Sequence, residues 1–352
     1  MLENCEVILG NSNKNLSGVT TTMLSTMRYQ RKDINLVIMG GHHVSEQELV
    51  VSFWDVVKHC RKPPASGNAR VFHARRNDEM IQALLLRALG VPLCIVFTST
   101  AQRNHTWITR FLMSKVDYVI STCNAAASYL KSPPSAIIPH GIDISHFEPA
   151  EDREAAWKAL GFGGEYGIGI LGRVRAQKGV PLLVRSAIEL CPKYPGLTAI
   201  VAGAVNSSNE SFVAQMKAEI DAAGLSDRIL FVGEVSFDDI PRYFQALSIG
   251  CALSWVEGFG LTILEAMGSQ TAVVATRAGA WEDIIRPGID GELVPIEGQK
   301  ELNETLDKML SDRAKLEEMG KAGRQRVLEH YTVEREAAQL VDFYRRAATY
   351  SA

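Results

Sequence analysis

The sequence predicts an α/β protein built from two doubly wound domains that face each other across a cleft. Its length of 352 residues suits two domains of roughly 100 to 200 residues each. Short β-rich runs alternate with helical stretches along nearly the whole chain, as in parallel sheets covered by helices on both faces. This alternation breaks once, near residue 150, at a segment rich in Pro, Gly and charge, FEPAEDREAAWKALGFGGEYG.

Residues 1–150 are predicted to form an N-terminal Rossmann-like domain on the acceptor side of the cleft. Its β-rich runs are CEVILG, INLVIMG, ARVFHA, PLCIVFTS, DYVISTC and SAIIPHG. Its helical stretches are VTTTMLSTMRYQ, LVVSFWDVVKHC, DEMIQALLLRALG, TWITRFLMSK and AAASYL. Ligands of such sheets bind outside the carboxyl ends of the strands, so functional residues are expected in the loops that follow them.

Residues 151–330 are predicted to form a C-terminal Rossmann-like domain in which the same alternation restarts. Its β-rich runs are GIGILGRV, LTAIVAGAV, RILFVGEV, IGCALSW, TAVVATRAG and GELVPIE. Helical segments at 299–311 and 312–330 close this domain. The final stretch, VEREAAQLVDFYRRAATY within 331–352, is amphipathic and is expected to pack back toward the N-terminal domain.

Composition excludes several classes of protein. Hydrophobic residues make up 46% and charged residues 22%, which is typical of a globular chain and not of a disordered or fibrous one. No run approaches the roughly 18 apolar residues of a membrane helix, and the N-terminus lacks a signal-peptide pattern. We therefore expect a cytoplasmic protein. The six dispersed cysteines favour reduced core thiols over disulfides or a metal site.

Charge is distributed unevenly along the chain. Residues 1–150 hold 15 Lys and Arg against 11 Asp and Glu, and the remainder holds 22 against 29, giving net charges of +4 and −7. The first half is thus the candidate for meeting an anionic ligand, although drift of surface charge explains the asymmetry equally well. A general nucleic-acid binder is more basic overall, and no nucleic-acid partner is expected.

Two glycine-containing segments follow each other at the start of the second domain. Gly167 to Gly172 matches GxGxxG, but these glycines lie inside a β-rich run and do not open a helix, so we reject a dinucleotide site. The next segment, Gly172 to Gly179, carries Arg173 and Lys178 on a loop that enters a helix. Such cations can grip a diphosphate, although this segment alone also fits a solvated basic turn.

The segment from Glu257 to Glu265 is the most informative in the chain. Two carboxylates flank a turn of Gly258, Phe259 and Gly260, which leads into a helix beginning near Leu261. Glycines let backbone amides approach a phosphate, and a helix start supplies unpaired N–H donors. The carboxylates are suited to accept hydrogen bonds from hydroxyls beside that phosphate, Glu257 from a sugar and Glu265 from a ribose.

Together these segments resemble a retaining GT-B glycosyltransferase of family 4. The resemblance also includes the turn Ile138 to Asp143 and the early loop Ser17-Gly18-Val19, and it covers almost the entire chain. In two details the chain departs from the family. His140 stands where the family usually has Asn, and the early loop has fewer glycines than the usual pair.

The resemblance implies roles for residues of both domains. Arg173 and Lys178 would neutralise the nucleotide diphosphate, and Glu257 and Glu265 would hold the hexose and ribose. Donor-binding residues would further include Gly18, Gly258, Phe259, Gly260 and Leu261. No pair of adjacent aspartates suits a metal, so no metal is expected, and no cofactor beyond the nucleotide-sugar co-substrate.

Polar side chains after two β-rich runs mark the acceptor side. His73 ends ARVFHA and is predicted to be catalytic, able to accept or orient a hydroxyl, since in the family a histidine here points at the transferred sugar. The alternative is a strand-end histidine satisfied by backbone. Arg75 and Arg76 open the next helix, where cations are electrostatically unfavourable, so they either meet an anionic acceptor or solvate the helix start. Arg103 and His105, after PLCIVFTS, also belong to the predicted acceptor side.

These two segments are similar to bacterial enzymes that add mannose to the inner core of lipopolysaccharide, whose acceptor carries acidic Kdo sugars. The sequence thus predicts transfer of a hexose, mannose from GDP-mannose, to an anionic and lipid-linked saccharide, with peripheral contact at the cytoplasmic face of the inner membrane. Trp107, Phe111 and Met113 are interpreted as helix packing rather than as a lipid-contact patch. A nucleotide-sugar epimerase or hydrolase and a non-catalytic sugar-binding protein remain alternatives.

Overall fold

The chain folds into two compact units. The computed structural model describes residues 2–15 and 17–350, the last of these by its backbone alone. Unit 1 comprises the described residues of Met1–Gly141 and Val333–Ala352, and unit 2 comprises Ile142–Thr332. These junctions differ from the predicted 150 and 330 because the backbone N–H of Ile142 already donates to the carbonyl of Tyr331 in unit 2, at 2.9 Å.

Unit 1 contains a seven-stranded sheet in which every strand pair is parallel. Its spatial order is β3-β2-β1-β4-β5-β6-β7. Strand β1 pairs with β2 on one side and with β4 on the other, so Leu9 lies opposite Ile38 and His73. The strands are β1 (Val7–Gly10), β2 (Leu36–Met39), β3 (Val50–Val51), β4 (Arg70–Ala74), β5 (Leu93–Ser99), β6 (Tyr118–Ser121) and β7 (Ala136–Ile137).

Five helices follow strands of this sheet, and most begin at a side chain that caps them. Ser17 and Ser52 accept hydrogen bonds from backbone N–H groups of the first turns of their helices. The helices are α1 (Gly18–Gln30), α2 (Phe53–His59), α3 (Asn77–Ala88), α4 (Trp107–Met113) and α5 (Asn124–Ala127).

Unit 2 contains a six-stranded parallel sheet of order β10-β9-β8-β11-β12-β13. Gly167 and Gly169 lie inside its central strand, as the sequence predicts. A Cβ at Gly167 would stand 2.1 Å from the ring of Trp157, so this glycine makes room for packing. The strands are β8 (Tyr166–Leu171), β9 (Leu197–Ala202), β10 (Ile229–Gly233), β11 (Leu247–Ala252), β12 (Ala272–Thr276) and β13 (Glu292–Val294).

Eight helices of unit 2 cover this sheet, whose core is formed mainly by aliphatic side chains of the strands and of the helices over them. The predicted closing segments are two of them. The helices are α6 (Arg153–Leu160), α7 (Val180–Leu190), α8 (Glu210–Ala222), α9 (Ile240–Ala246), α10 (Thr262–Gly268), α11 (Trp281–Ile284), α12 (Gln299–Leu310) and α13 (Arg313–His330).

The last helix, α14 (Val333–Tyr350), belongs to unit 1 and packs against α1 and β4. Its apolar face completes the core on one side of the sheet, where Leu340, Phe343 and Tyr344 are buried with residues of β1, β2 and β4. Two doubly wound parallel sheets covered by helices confirm the predicted α/β class.

Each sheet has one point at which the strand order reverses, between β1 and β4 in unit 1 and between β8 and β11 in unit 2. Loops that leave the two neighbouring strands in opposite directions open a crevice there, which is where open α/β sheets bind ligands. We call these positions the switch points of unit 1 and unit 2.

Candidate active site

Two loops meet at the switch point of unit 2, one after β8 (residues 172–179) and one after β11 (residues 253–261). The backbone N–H of Trp255 donates to the carbonyl of Gln177 at 2.9 Å and joins them. Gly179 has a φ of +76°, and a Cβ there would stand 2.2 Å from the carbonyl oxygen of Leu253. Only glycine permits this approach, which brings both predicted donor-site segments together.

Lys178 and Glu257 form an ion pair between these two loops. The distance from Lys178 Nζ to Glu257 Oε2 is 2.5 Å, and both side chains are partly exposed. Glu257 also accepts weaker hydrogen bonds from Ser254 Oγ at 3.4 Å and from the backbone N–H of Gly258 at 3.2 Å. The pair thus places a cation, the Lys178 ammonium, beside the carboxylate of Glu257, which can accept a hydrogen bond from a hydroxyl group. Both lie at the carboxyl edge of the sheet.

Trp281 hydrogen bonds with the turn of Gly258, Phe259 and Gly260, and it was not among the predicted site residues. Phe259 is buried, and Trp281 Nε1 donates to the carbonyl of Gly260 at 3.0 Å. Gly260 has a φ of +83°, and a Cβ there would lie 2.4 Å from Trp281 Nε1. Within residues 2–15 and 17–350, no acceptor takes the backbone N–H of Gly260 or Leu261. Helix α10 begins directly afterwards, at Thr262.

Arg173 and Glu265, also predicted at this site, have no charged partners in the part of the chain that the structure describes. The Arg173 side chain is exposed, and no described carboxylate lies within 4.0 Å of its guanidinium. Glu265 lies in the first turn of α10 and is partly buried. Burial raises the pKa of its carboxyl group to about 7. The site thus holds an unpaired cation and a carboxyl group that is poised to gain or lose a proton near neutrality.

His73 lies at the carboxyl end of β4, on the other unit, and is 1% exposed. Its Nε2 hydrogen bonds with Thr98 Oγ1 at 2.6 Å, and its Nδ1 with Tyr344 Oη at 2.5 Å. Burial, and then the positive charges of Arg75 and His140, hold the pKa of His73 well below its usual range. His73 is therefore a neutral imidazole whose nitrogens are satisfied by hydroxyl groups.

Arg76 is anchored at the switch point of unit 1. Its Nη1 pairs with Glu79 Oε1 at 2.7 Å, and its Nη2 donates to Ser17 Oγ at 3.0 Å and Thr20 Oγ1 at 2.8 Å. The guanidinium thus joins the start of α3 to the start of α1. Gly18, the first residue of α1, has free space around it, since a Cβ would meet no atom within 4 Å.

Glu79 is the buried carboxylate to which Arg76 and the start of α3 are bonded, and it was not among the predicted site residues. Its carboxylate accepts the backbone N–H of Arg75 at 2.7 Å and of Arg76 at 3.2 Å. It also accepts the N–H and the hydroxyl of Ser12, in the loop after β1, at 3.3 and 3.1 Å. The available signal was the acid three residues after Arg76, the spacing of a capping box.

Arg103 and His105 lie in the loop after β5. Arg103 is exposed, and His105 Nε2 hydrogen bonds with Ser99 Oγ at 3.1 Å. Burial, and then Arg103 and Arg110, lower the pKa of His105. The loop therefore carries a neutral imidazole beside exposed guanidinium groups.

The interpretation of Trp107 and Phe111 as helix packing is wrong. Trp107 is 70% and Phe111 56% exposed, and Ile108 between them is exposed as well. Helix α3 packs against α4 and exposes Ile81 and Leu85. We call these five residues the apolar surface of unit 1.

Neither a metal-binding cluster nor a membrane-spanning helix occurs in residues 2–15 and 17–350. No group of three His, Cys, Asp or Glu side chains there is arranged to hold a metal ion. Over the same residues, none of the helices combines the length and apolar character needed to span a membrane.

Comparisons with known proteins connect this site to a family. Residues 152–326 match the family of glycosyl transferases group 1. The chain is 39% identical to the lipopolysaccharide core biosynthesis mannosyltransferase LpcC of Rhizobium leguminosarum, over 97% of both chains. It is 38% identical to the corresponding LpsB of Rhizobium meliloti, over 97% of this chain and 98% of that one.

Solved structures agree with this result. The C-terminal domain of a glycosyl transferase group 1 family protein (LpcC) from Francisella tularensis is 37% identical, with a TM-score of 0.53, over 55% of this chain and 99% of that domain. Anabaena Alr3699/HepE, solved in complex with UDP, shares the fold at 17% identity, with a TM-score of 0.83, over 97% of this chain and all of that one.

Two units with parallel sheets and the likeness to solved structures confirm the predicted α/β GT-B fold. The chain belongs to the glycosyl transferases group 1 family, and it is an enzyme that transfers a glycosyl group. The predicted similarity to bacterial lipopolysaccharide core mannosyltransferases is also confirmed.

Proposed function

We propose that this enzyme transfers mannose, with retention of configuration, from GDP-mannose to a hydroxyl group of an anionic saccharide in the lipopolysaccharide inner core. Two relatives that align over nearly their full lengths bear names of lipopolysaccharide core mannosyltransferases. The observation that carries the proposal is the ion pair of Lys178 with Glu257 at the switch point of unit 2, in loops that also hold Arg173.

Each donor group has a proposed partner at this switch point. Arg173 and Lys178 face the two phosphates, because a guanidinium and an ammonium each form charge-assisted hydrogen bonds with phosphate oxygens. The N–H groups of Gly260 and Leu261 add neutral donors. Glu257 accepts from a mannose hydroxyl while Lys178 turns to the phosphate, and Glu265 accepts from ribose hydroxyls.

Retention is explained by attack on one face of the sugar. The acceptor oxygen forms a bond to the anomeric carbon as the bond from that carbon to the diphosphate oxygen breaks, and the acceptor proton passes to a phosphate oxygen. GDP leaves with the bonding electrons, so no protein nucleophile is needed. Arg173 and Lys178 stabilise the charge that develops on the diphosphate, which is where electrostatic catalysis is most effective.

The positive charge at the diphosphate comes from side chains in this proposal, and transfer should therefore persist in EDTA. His73 and Arg75 belong to the acceptor side, where the neutral imidazole fixes the hydroxyls of Thr98 and Tyr344. Arg103 and His105 extend this side toward the solvent-exposed loop after β5.

NMR of the purified enzyme with GDP-mannose tests the assignment. With a lipopolysaccharide inner-core saccharide present, we expect an α-mannoside and GDP in equal amounts; with the donor alone, we expect the donor to remain. Consumption of the donor alone would identify the epimerase or hydrolase alternative, and a β-mannoside would rule out retention. A panel of nucleotide sugars tests the donor, since a ligand at 100 times its Kd stabilises the protein by about 2.7 kcal/mol.

We further propose that the apolar surface of unit 1 contacts an anionic membrane. Exposed Trp and Phe side chains suit the membrane interface, and exposed cations on the same helix and the next turn, Arg110 and Lys115, suit anionic head groups. Lys115 Nζ lies 5.6 Å from the ring centre of Phe111. Apolar and cationic groups are thus interleaved on one face.

Sedimentation with vesicles tests this contact. Wild-type protein should bind vesicles containing phosphatidylglycerol and leave those of phosphatidylcholine alone. The double variant Trp107→Ser, Phe111→Ser should lose at least 10-fold in vesicle affinity. Phe237→Ser is the matched control, since Phe237 is an equally exposed aromatic residue of unit 2. Equal binding by the double variant and the control would contradict the contact.

A further inference from the structure

A cavity in unit 1 opens at the carboxyl ends of β4, β5, β6 and β7. Its wall includes His73, Arg75, Thr98, Thr122, His140 and Glu336, all of which belong to this unit. Residues at the start of α1 and on α14 close its sides. The cavity is therefore built from six different segments of the chain, at the edge where open parallel sheets bind ligands.

Two buried polar atoms in this wall have no hydrogen-bond partner among the residues that the structure describes. Thr122 is 1% exposed, and its Oγ1 forms no hydrogen bond with the described residues. Arg75 Nη1 is also buried without an acceptor. A buried donor without an acceptor costs free energy, and a buried charged donor costs most. These two groups are suited to a ligand that supplies acceptor oxygens.

The carboxylates nearby are already engaged. Glu336 Oε1 pairs with His140 Nδ1 at 2.7 Å, and Glu336 Oε2 accepts the backbone N–H of Gly141 at 2.9 Å. Glu79 is bonded to Arg76 and to backbone N–H groups of Arg75 and Arg76. Among the described residues no carboxylate pairs with the Arg75 guanidinium, so a ligand can supply the negative charge that complements it.

The charge of the cavity wall suits a ligand with a single negative charge. His73 is neutral, because burial and its cationic neighbours hold its pKa well below its usual range. Glu336 is hydrogen bonded to His140, and Arg75 is the one lysine or arginine among the wall residues named here. A planar monoanion also matches the fork of a guanidinium better than a tetrahedral dianion does.

We propose that this cavity binds the carboxylate of a sugar acid in the acceptor, with Arg75 pairing with its oxygens and Thr122 donating its hydroxyl proton to it. The proposal rests on the proposed function in one respect, that the acceptor is an anionic saccharide, and it names the anion. Arg75 and Thr122 then fix which saccharide is accepted, and they contact the acceptor at its charged group rather than at the reacting hydroxyl.

Calorimetric titration of the full chain, without donor, separates this proposal from the transfer reaction. The probes are the methyl glycoside of Kdo, its uncharged methyl ester and inorganic phosphate. We expect the acid to bind at least 10-fold more tightly than the ester, and phosphate to bind more weakly than the acid. Equal affinity for acid and ester, or tighter binding of phosphate, would overturn the proposal.

Variants identify the groups responsible. Arg75→Gln should weaken binding of the acid at least 10-fold, and Thr122→Val, which removes only the hydroxyl, about 3-fold to 10-fold, while neither alters binding of the ester. Arg28→Gln, an exposed arginine on α1, is the matched control in the same unit. Titration with GDP-mannose checks that each variant is folded, because its proposed site lies in unit 2.

The two proposals fail in different ways. Mannosyl transfer with no preference for the acid over the ester would refute the carboxylate site alone. Selective binding of the acid with no transfer from GDP-mannose would refute the proposed function and leave the carboxylate site standing.

Discussion

The switch points of the two units have the same topology, but they differ in whether an arginine there is paired with a carboxylate. In unit 1 a buried carboxylate, Glu79, accepts the backbone N–H groups at the start of α3 and pairs with Arg76. In unit 2 the acid at the switch point, Glu257, pairs with Lys178 and accepts the backbone N–H of Gly258, and it leaves other donors of the site unpaired within the described part of the chain. There Arg173 is exposed without a carboxylate partner among the described residues, and the N–H groups of Gly260 and Leu261 have no acceptor among them.

This difference indicates a structural role for the charged groups at the switch point of unit 1 and a binding role for those at the switch point of unit 2. An anion fits naturally where N–H groups and cations converge beside a helix start. Unit 1 supplies that anion from its own chain and thereby joins two loops. Unit 2 keeps its donors and its cation available, as a site for an anionic ligand requires. Arg173 is thus a candidate binding residue, because no described carboxylate pairs with it, whereas Arg76 is held by Glu79.

The largest effect is expected from the cations of unit 2. Arg173→Ala and Lys178→Ala should each lower the turnover of mannosyl transfer about 100-fold or more, because the charge on the leaving diphosphate loses its stabilisation. Steady-state kinetics measures the loss. Arg185→Ala on α7 is the control for removal of a cation from the same unit. Near wild-type turnover in both site variants would remove these residues from the mechanism.

An intermediate effect is expected at Glu79, and it should fall on stability rather than on donor binding. Glu79→Gln leaves the Arg76 guanidinium without its counter-charge, and we expect the free energy of unfolding to fall by about 2–3 kcal/mol. Chemical denaturation measures this loss, and titration with GDP-mannose should give an unchanged Kd. A weakened Kd with unaltered stability would place Glu79 among binding residues and abolish the contrast between the units.

The smallest effect concerns Glu265 and depends on pH. Because burial raises its pKa from 4.5 to about 7, folding favours the protonated carboxyl group, and its cost to stability grows as the pH rises from 4.5 to 7. Glu265→Gln should match wild type at pH 4 and unfold at a higher temperature than wild type at pH 8. Thermal melts across this range check the sign, and a difference that shrinks as pH rises would contradict it.

The fold was predictable because alternating β-rich and helical runs are local properties of the sequence. The final stretch VEREAAQLVDFYRRAATY coincides with α14, and the two closing helices of unit 2 end within one residue of their expected ends. The junctions between the units follow residues 141 and 332, whereas composition indicated residues 150 and 330. They are set by tertiary hydrogen bonds, such as the one between Ile142 and Tyr331, which composition does not reveal.

The candidate site was predictable only where a motif carried it. Lys178 and Glu257 are 79 residues apart and were both found through their segments. Tyr344 stands 271 residues from His73, and no local pattern connects them. Trp281 was missed for the same reason, since its hydrogen bond to Gly260 exists only after the chain has folded. Thr122 belongs to no motif, and the cavity that it lines exists only in the folded unit.

The packing of α14 on the first unit has a consequence for synthesis. A ribosome completes residues 142–332 before it makes the helix that covers one face of the N-terminal sheet. The N-terminal part of unit 1 therefore keeps apolar surface uncovered while unit 2 is being synthesised. The hydroxyl of Tyr344, which bonds one nitrogen of His73, is made with the last residues translated, so a nascent chain stalled late would lack one side of the cavity beside His73.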